Sequence, residues 1–157
     1  FEPGDLMLIT DHINFMFDNP LIHIPHSTEQ NRFVDMSETY YPPYQRLAEQ
    51  TARDLNILLQ QGTLAATKGP TYETAAEIRM IQVAGGDAGT MSTIPEVIVA
   101  HQNGIKLLGI SCITNMATGI SNHKLDHHEV TVTANKIQNK FMTLISEIIR
   151  RIAQQEY

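Results

Sequence analysis

The stretch TLAATKGPTYETAAEIRM, residues 63–80, decides the fold class because a strand pattern and a helix pattern meet there across one short turn. "TLAATK" is typical of a strand, and it leads into a bend at Gly69-Pro70. Thr74 and Glu77 then have the spacing of a capping box, in which each residue's side chain accepts the backbone N–H of the other. The stretch therefore predicts a strand, a turn and a capped helix in direct succession.

Glu73 stands directly before this cap and has no partner that the local sequence supplies. The capping box accounts for Glu77, whereas Glu73 follows the aromatic Tyr72 and the Gly-Pro bend. Two interpretations stay open for it. Glu73 is either a solvated loop carboxylate or an acceptor held out for a ligand.

Apolar spacing predicts further elements on the amino-terminal side of this stretch. A continuous apolar run at residues 6–9 predicts a buried strand. Residues 44–61 carry a helical stripe, and Gly62 is expected to end that helix as a C′ residue. Between them, residues 14–43 are rich in proline and polar side chains, which is typical of a long binding loop or lid.

Two helices and a strand are predicted on the carboxyl-terminal side. Thr93 and Glu96 have the spacing of a second capping box, with a proline in the first turn. The run IKLLGISCI, residues 105–113, predicts a strand covered on both faces. The last helix has apolar residues at steps of three and four: Val130, Ala134, Ile137, Phe141, Leu144, Ile148 and Ile152.

The alternation of strands and helices predicts an α/β fold with a mostly parallel or mixed central sheet flanked by helices. We expect one domain over residues 1–157, because no linker or internal repeat interrupts the pattern. The first residue is Phe1, and a strand pattern begins almost at once. We therefore expect that the chain starts within a domain and that this domain is incomplete.

Composition narrows the class of ligand. The chain has 157 residues, 42% of them hydrophobic, and a net charge of -6. Its basic residues are not clustered as nucleic-acid binding requires, so a small soluble ligand is expected. The single cysteine, Cys112, permits no intrachain disulfide, which favours a reducing compartment. No apolar stretch approaches the roughly 20 residues of a membrane span.

Polar residues without a local role fall where predicted strands end. Glu73, Ser92 and Asn115 each have this position, and ligands of open α/β sheets bind outside the carboxyl ends of strands. Ser92 is either an additional capping residue or part of an anion site at the helix N-terminus. Asn115, which follows Thr114, is either a turn residue or an amide that donates to and accepts from a ligand.

Histidines cluster before and at the start of the last helix. His123, His127 and His128 accompany Asp126 there, and histidines four apart on a helix can share a zinc ion. No HExxH motif or cysteine ligand supports this metal-binding alternative. A serine hydrolase is not supported either, because the chain has no G-x-S-x-G motif.

Seven blocks of the chain follow one another in a defined order: FEPGDLMLITDHIN, NPLI, DMSETY, GPTYETAAEIRM, MSTIPEVIVA, ITNMATGI and DHHEV. In order and spacing they resemble the carboxyl-terminal half of the trimeric purine nucleoside phosphorylases. The resemblance covers essentially the whole chain. It implies the nucleoside phosphorylase type of α/β fold.

The resemblance implies phosphorolysis, in which inorganic phosphate attacks C1′ of a purine ribonucleoside and releases the base and ribose 1-phosphate. Asn115 would bind N7 and O6 of the leaving base, and Glu73 would accept from N1–H. The remaining implied roles are Tyr72 against the base, Met91 under the ribose, Thr114 in substrate binding, Ser92 on phosphate and His127 on the 5′-hydroxyl. His128 occupies the adjacent acidic position of the family's motif and is not the better candidate.

Inosine and guanosine are the substrates that the resemblance implies. A carboxylate paired with N1–H would lose its donor with adenosine, and such sites discriminate against the missing group. Phosphate is then a co-substrate, and no cofactor or metal is expected. The resemblance also implies a cytoplasmic homotrimer in purine salvage, with neither nucleic acid nor membrane as a partner.

The chain departs from the family in three ways. The amino-terminal half with its phosphate loop is missing, which leaves two alternatives: a separate amino-terminal partner, or a non-catalytic fragment or degenerate relative. Gly89-Thr90 replaces the usual Val-Gly, so an altered pocket is expected. The segment NPLIHIPHSTEQNRF, residues 19–33, replaces the family's usual loop, and Phe15 or Phe17 is the candidate aromatic residue for a neighbouring subunit's ribose pocket.

Overall fold

The computed structural model describes residues 1–22, 33–121 and 126–155, without the side chains of His127 and Gln155. Strands and helices alternate through this part of the chain. Their bounds are β1 Leu6–Asn14, α1 Pro42–Asp54, β2 Leu59–Ala66, α2 Ala75–Val83, β3 Ala88–Thr90, α3 Ile94–Gln102, β4 Ile110–Cys112 and α4 His127–Gln155. None of the described helices has both the length and the apolarity that crossing a membrane requires.

The strands form one mixed sheet in the order β3-β2-β1-β4. Strand β1 pairs in parallel with β2, and β2 pairs in parallel with β3. Strand β4 is antiparallel to β1. The predicted α/β class with a mostly parallel or mixed sheet is confirmed.

Strand β1 forms the centre of the core, because residues 6–9 are at most 1% exposed. Successive side chains of a strand point to opposite faces of the sheet. Leu6 and Leu8 pack on the side of α1 and α4, whereas Met7 and Ile9 pack on the side of α3. Their main partners are Ala48, Ala52, Leu144 and Ile148 on the first side, and Leu64 and Val97 on the second.

Helix α1 ends at Asp54, so the prediction of a helix over residues 44–61 is wrong in its second half. Asn56 adopts a left-handed φ of 52°. The N–H of Ile57 donates to the carbonyl of Ala52 at 2.8 Å. This bond and the left-handed asparagine form a Schellman motif, which stops the helix in the way a glycine usually does.

Gly62, which the sequence suggested as the end of that helix, lies inside β2 and is buried. Leu58 and Leu59 continue the helical spacing by chance and mislead the prediction. Leu59 pairs with Leu6 of β1, so pairing between strands determines its conformation. Tertiary contact thus overrides the local apolar period here.

Strand β4 is short and half-buried, so the prediction of a strand over residues 105–113 covered on both faces is wrong. The residues before it make irregular backbone contacts. The carbonyl of Leu107 accepts from the N–H of Tyr41 at 2.8 Å, and that of Gly109 accepts from Ile9 at 2.9 Å. The apolar run is therefore divided between an irregular segment and a short strand beside β1.

The two predicted capping boxes have different outcomes. At α2 the N–H of Thr74 donates to Glu77 Oε2 at 2.7 Å, and the N–H of Glu77 donates to Thr74 Oγ1 at 3.3 Å, so this box is confirmed. At α3 the second box is wrong, because Thr93 makes no capping hydrogen bond and has a φ of 74°. Its Oγ1 lies 3.1 Å from Ser92 Oγ instead.

Truncation of Leu144 tests the packing of α4 against β1. Leu144 is 0% exposed, so Leu144→Ala should lower the free energy of unfolding by about 2–5 kcal/mol. Met142 lies on the same helix and is 54% exposed, so Met142→Ala should change it by about 0.5 kcal/mol or less. Urea unfolding followed by circular dichroism measures both. Equal effects of the two substitutions would contradict the described core.

Candidate functional site

A cavity of about 520 Å³ has walls from α2, β3, β4 and α4. Its volume falls within the range that holds small organic ligands. Five residues selected from the sequence line it: Tyr72, Glu73, Met91, Thr114 and Asn115. The fold therefore brings together most of the residues singled out at three separate strand ends.

Asn115 reaches this cavity by a different route from the one the sequence suggested. Because β4 is antiparallel, its end Cys112 pairs with Leu6 at the start of β1. The expectation of one shared sheet edge is therefore wrong for Asn115, although β2 and β3 do end together. Residues 111–117 line the cavity without a break, and Ala117 packs on the cluster formed by Ala65 of β2 and two isoleucines of α2. Asn115 lies within this segment, between β4 and Ala117.

Glu73 has a partner that the local sequence did not reveal, since the hydroxyl of Thr67 donates to its Oε1. Thr67 directly follows β2, and its N–H donates to the carbonyl of Thr90 at 2.9 Å, which extends the pairing of β2 with β3. Glu73 is half-buried and held at the cavity. The threonine at the end of β2 was the only sequence signal for this contact. Thr67 and Glu73 are six residues apart across a turn, and neither a helical nor a strand period predicts such a contact.

Glu77 differs from Glu73 in its environment. The backbone N–H and the hydroxyl of Thr74 hold the pKa of Glu77 below its ordinary value. A carboxylate that accepts such bonds is stabilised in its charged form. Glu77 is thus hydrogen-bonded in the cap of α2, and Glu73 is the glutamate that lines the cavity.

Asn115 is oriented by its neighbour in sequence. The hydroxyl of Thr114 donates to Asn115 Oδ1 at 2.8 Å, and Asn115 Nδ2 donates to the carbonyl of Met116 at 3.4 Å. An amide nitrogen carries two hydrogens, so one N–H of Asn115 is available to a ligand. The carbonyl of Met116 can only accept, so it identifies the nitrogen end of the amide, and the hydroxyl of Thr114 donates to the other end.

Tyr72 and Met91 add large apolar surfaces to the cavity wall, and they are 40% and 39% exposed. Gly69 passes close to Met91 and adopts a left-handed φ of 59°. A Cβ at Gly69 would lie 2.6 Å from Met91 Sδ. The turn therefore needs glycine at this position both for its backbone conformation and for the space that Met91 occupies.

Ser92 belongs to a cluster of hydroxyl groups at the start of α3. Its Oγ lies 3.3 Å from Thr90 Oγ1 and 3.1 Å from Thr93 Oγ1. The N–H of Ser92 donates to Thr90 Oγ1 at 3.2 Å. Thr90, one of the two departures at positions 89 and 90, thus adds a hydroxyl directly beside Ser92.

The histidines are placed as follows. His127 begins α4, and its side chain lies outside the described part of the chain. His123 also lies outside the described residues, whereas Asp126 and His128 of the candidate zinc cluster are described. His128 lines a second cavity, of about 400 Å³, together with Thr114 and Asn115. Among the residues that are described, no three His, Cys, Asp or Glu side chains are grouped to hold a metal ion.

The two candidate phenylalanines differ in exposure. Phe15 packs against the cluster of Ala65 and Ile81, whereas Phe17 is 88% exposed. Their ring centroids lie 6.4 Å apart. Of the two, Phe17 is the one that presents its ring at the surface.

The sequence profile of the phosphorylase superfamily matches residues 1–150. The chain belongs to the phosphorylase superfamily. Purine nucleoside phosphorylase 1 of Geobacillus stearothermophilus is 51% identical over 154 residues, which are 98% of this chain and 56% of that relative. The probable 6-oxopurine nucleoside phosphorylase of Moorella thermoacetica is 34% identical over 156 residues, with shares of 99% and 60%.

Solved members of the superfamily share the fold. Crystal structures of Schistosoma mansoni purine nucleoside phosphorylase with inosine and with adenosine match at TM-scores of 0.88 and 0.87 and 32% identity. Each match covers 95% of this chain and 55% or 56% of the other chain. This member of the phosphorylase superfamily therefore spans about half the length of the curated relatives it matches. The resemblance drawn from the seven sequence blocks is confirmed.

Substitution of Gly69 tests its contact with Met91. Gly69→Ala should destabilise the protein by the left-handed strain of about 1–2 kcal/mol and by roughly 1 kcal/mol more from crowding against Met91. Gly85 is the matched control, because its φ is 92° and a Cβ there would meet nothing within 4 Å. Gly85→Ala should show the strain alone.

Thermal unfolding of both variants measures the difference. Met91→Ala introduced into the Gly69→Ala protein should remove the part of the destabilisation that comes from crowding, because the sulfur that the new Cβ would contact is then absent. Equal destabilisation by the two glycine substitutions would mean that Gly69 does not determine the position of Met91.

Proposed function

We propose that this chain is the base-binding part of a purine nucleoside phosphorylase. The observation that carries the proposal is the pairing of Glu73 and Asn115 in one cavity, where the first offers an acceptor and the second an N–H donor. A 6-oxopurine presents the complementary groups, a donor at N1 and an acceptor at N7. The names of the relatives support the same reaction class, that of a pentosyltransferase.

The proposed chemistry is reversible phosphorolysis. Phosphate attacks C1′ as the bond from C1′ to N9 breaks, and the electron pair of that bond moves into the purine. Asn115 is suited to donate toward N7 and O6, where this charge develops. Tyr72 and Met91 supply surfaces for the base and the ribose, and His127 is assigned to the 5′-hydroxyl.

Specificity for inosine and guanosine follows from the acceptor character of Glu73. Adenosine has an unprotonated N1, so a carboxylate would face a second acceptor, and an unmet buried polar group costs roughly 1–3 kcal/mol. The 6-oxopurine name of the Moorella thermoacetica relative supports this preference. The Schistosoma mansoni relative was solved with inosine and also with adenosine, so turnover is the appropriate measure of discrimination.

Phosphate binding is assigned to Ser92, with the hydroxyl groups of Thr90 and Thr93 beside it. Helix N-termini favour anions because their first N–H groups lack helical partners. Phosphate acts as co-substrate in this proposal, and no cofactor is required.

The proposal includes an assembly larger than this chain. Polypeptide corresponding to the other half of the relatives' length would complete the phosphate site, and the complete unit would form a homotrimer in cytoplasmic purine salvage. Phe17 is the better placed of the two candidate phenylalanines to contact a neighbouring subunit, because it is exposed. A non-catalytic relative and a zinc-binding protein are the rival functions, and no described contact favours either.

Complementation tests the proposed activity. The chain is combined with the amino-terminal half of the Geobacillus stearothermophilus relative, and release of hypoxanthine from inosine is followed with and without phosphate. We expect phosphate-dependent release, and Glu73→Gln should reduce it roughly 10–100-fold because a hydrogen bond to a charged group is lost. A well-folded assembly that releases no hypoxanthine would refute the phosphorylase proposal.

Asn115→Asp tests the assignment of the leaving-group contact. An aspartate accepts where the amide donates, so it opposes O6 of inosine but matches the 6-amino group of adenosine. Turnover of inosine should therefore fall by more than tenfold relative to turnover of adenosine. Steady-state rates with the two nucleosides in the complemented enzyme give this ratio. An unchanged ratio would remove Asn115 from the proposed role.

A further inference from the structure

Thr67 contacts the carboxylate that the proposed function assigns to purine recognition, and neither the sequence nor the family resemblance had singled it out. Its hydroxyl donates to Glu73 Oε1. We infer that Thr67 is a positioning residue, which orients Glu73 toward purine bases that carry a hydrogen on N1. This inference rests on the proposed function and deepens it.

The position of Thr67 in the fold makes it an effective anchor. Thr67 follows Ala66, which is 0% exposed, and its own N–H donates to the carbonyl of Thr90 at 2.9 Å. At the other end of the turn, Glu73 precedes Thr74, whose N–H is held by the capping box. The side-chain bond between Thr67 and Glu73 therefore closes a turn whose two ends are already fixed to the sheet and to α2.

The direction of this hydrogen bond determines what the cavity offers. A threonine hydroxyl has one proton, and here it is directed at Oε1. Glu73 keeps Oε2 and the remaining lone pair of Oε1 as acceptors, so the pair offers no donor to a ligand. For a base with N1–H, Glu73 is a matching acceptor, whereas for a base with an unprotonated N1 it is a second acceptor.

Orientation before binding gives Thr67 an effect on affinity. A glutamate side chain has several rotatable bonds, and immobilising it at the moment of binding weakens the complex. Thr67 restrains this side chain in advance. Removal of the hydroxyl should therefore weaken the binding of bases that contact Glu73. The affinity for bases that do not contact Glu73 should be nearly unchanged.

The test measures binding of free hypoxanthine and adenine to the 157-residue chain by calorimetry. Thr67→Val keeps the shape but removes the hydroxyl, and it should raise the Kd for hypoxanthine roughly tenfold. Thr67→Ser keeps the donor and should stay within about threefold of the unsubstituted chain. Thr71→Val is the matched control, because Thr71 is exposed in the same turn. This variant should bind hypoxanthine with the same Kd as the unsubstituted chain.

A double substitution separates positioning from general stability. If Thr67 acts through Glu73, then Thr67→Val should change the Kd for hypoxanthine less than twofold in a Glu73→Gln background. The Kd for adenine should be the same in the unsubstituted chain and in the Thr67→Val variant. Thr67→Ala removes the same hydroxyl and takes the place of Thr67→Val if the valine variant does not fold.

The outcomes distinguish the inference from the function on which it rests. If the unsubstituted chain binds hypoxanthine and Thr67→Val binds it equally well, the positioning role is wrong while the proposed function stands. The positioning role is also wrong if Thr67→Val raises the Kd for hypoxanthine by the same factor in the unsubstituted chain and in the Glu73→Gln background. If the unsubstituted chain binds no hypoxanthine, the base-binding function itself fails.

Discussion

Strand β1 pairs in parallel with β2 from Leu6 to Asn14, and its first four residues are almost completely buried. A parallel pair needs a crossover between its strands, which α1 provides, and both faces must then be covered. Helices α1 and α4 cover one face, and α3 packs on the other. The cavity residues on β3 and β4 take their positions from this pairing, because these two strands join the sheet on either side of it.

Two threonines at strand ends give the cavity its hydrogen-bonding character. Thr67 donates to Glu73, which remains an acceptor, and Thr114 donates to Asn115 Oδ1, which leaves an amide N–H as a donor. Each threonine has a backbone position set by the sheet or by the strand before it. A ligand with a donor on one edge and an acceptor on another fits between them, and a 6-oxopurine has both.

Local signals predicted the elements that depend on neighbouring residues in sequence. The capping box at Thr74 and the apolar stripe of α4 are of this kind, and both are present. Two predictions failed where partners distant in sequence decide the outcome: Leu59, inside the predicted first helix, pairs with Leu6 of β1, and β4 is shortened and antiparallel beside β1. The contact of Thr67 with Glu73 could not be predicted for the same reason, since it depends on how the turn closes. The choice of Glu73 and Asn115 as ligand contacts came from the family resemblance, and their roles stay predictions.

The central claim is that Glu73 and Asn115 bind two edges of one purine base. A crystal structure of the 157-residue chain with hypoxanthine tests it most directly. We expect N1 of the base about 2.7–3.2 Å from a carboxylate oxygen of Glu73 and N7 at a similar distance from the amide nitrogen of Asn115. Hypoxanthine bound elsewhere, or bound in this cavity with either side chain turned away from it, would contradict the claim.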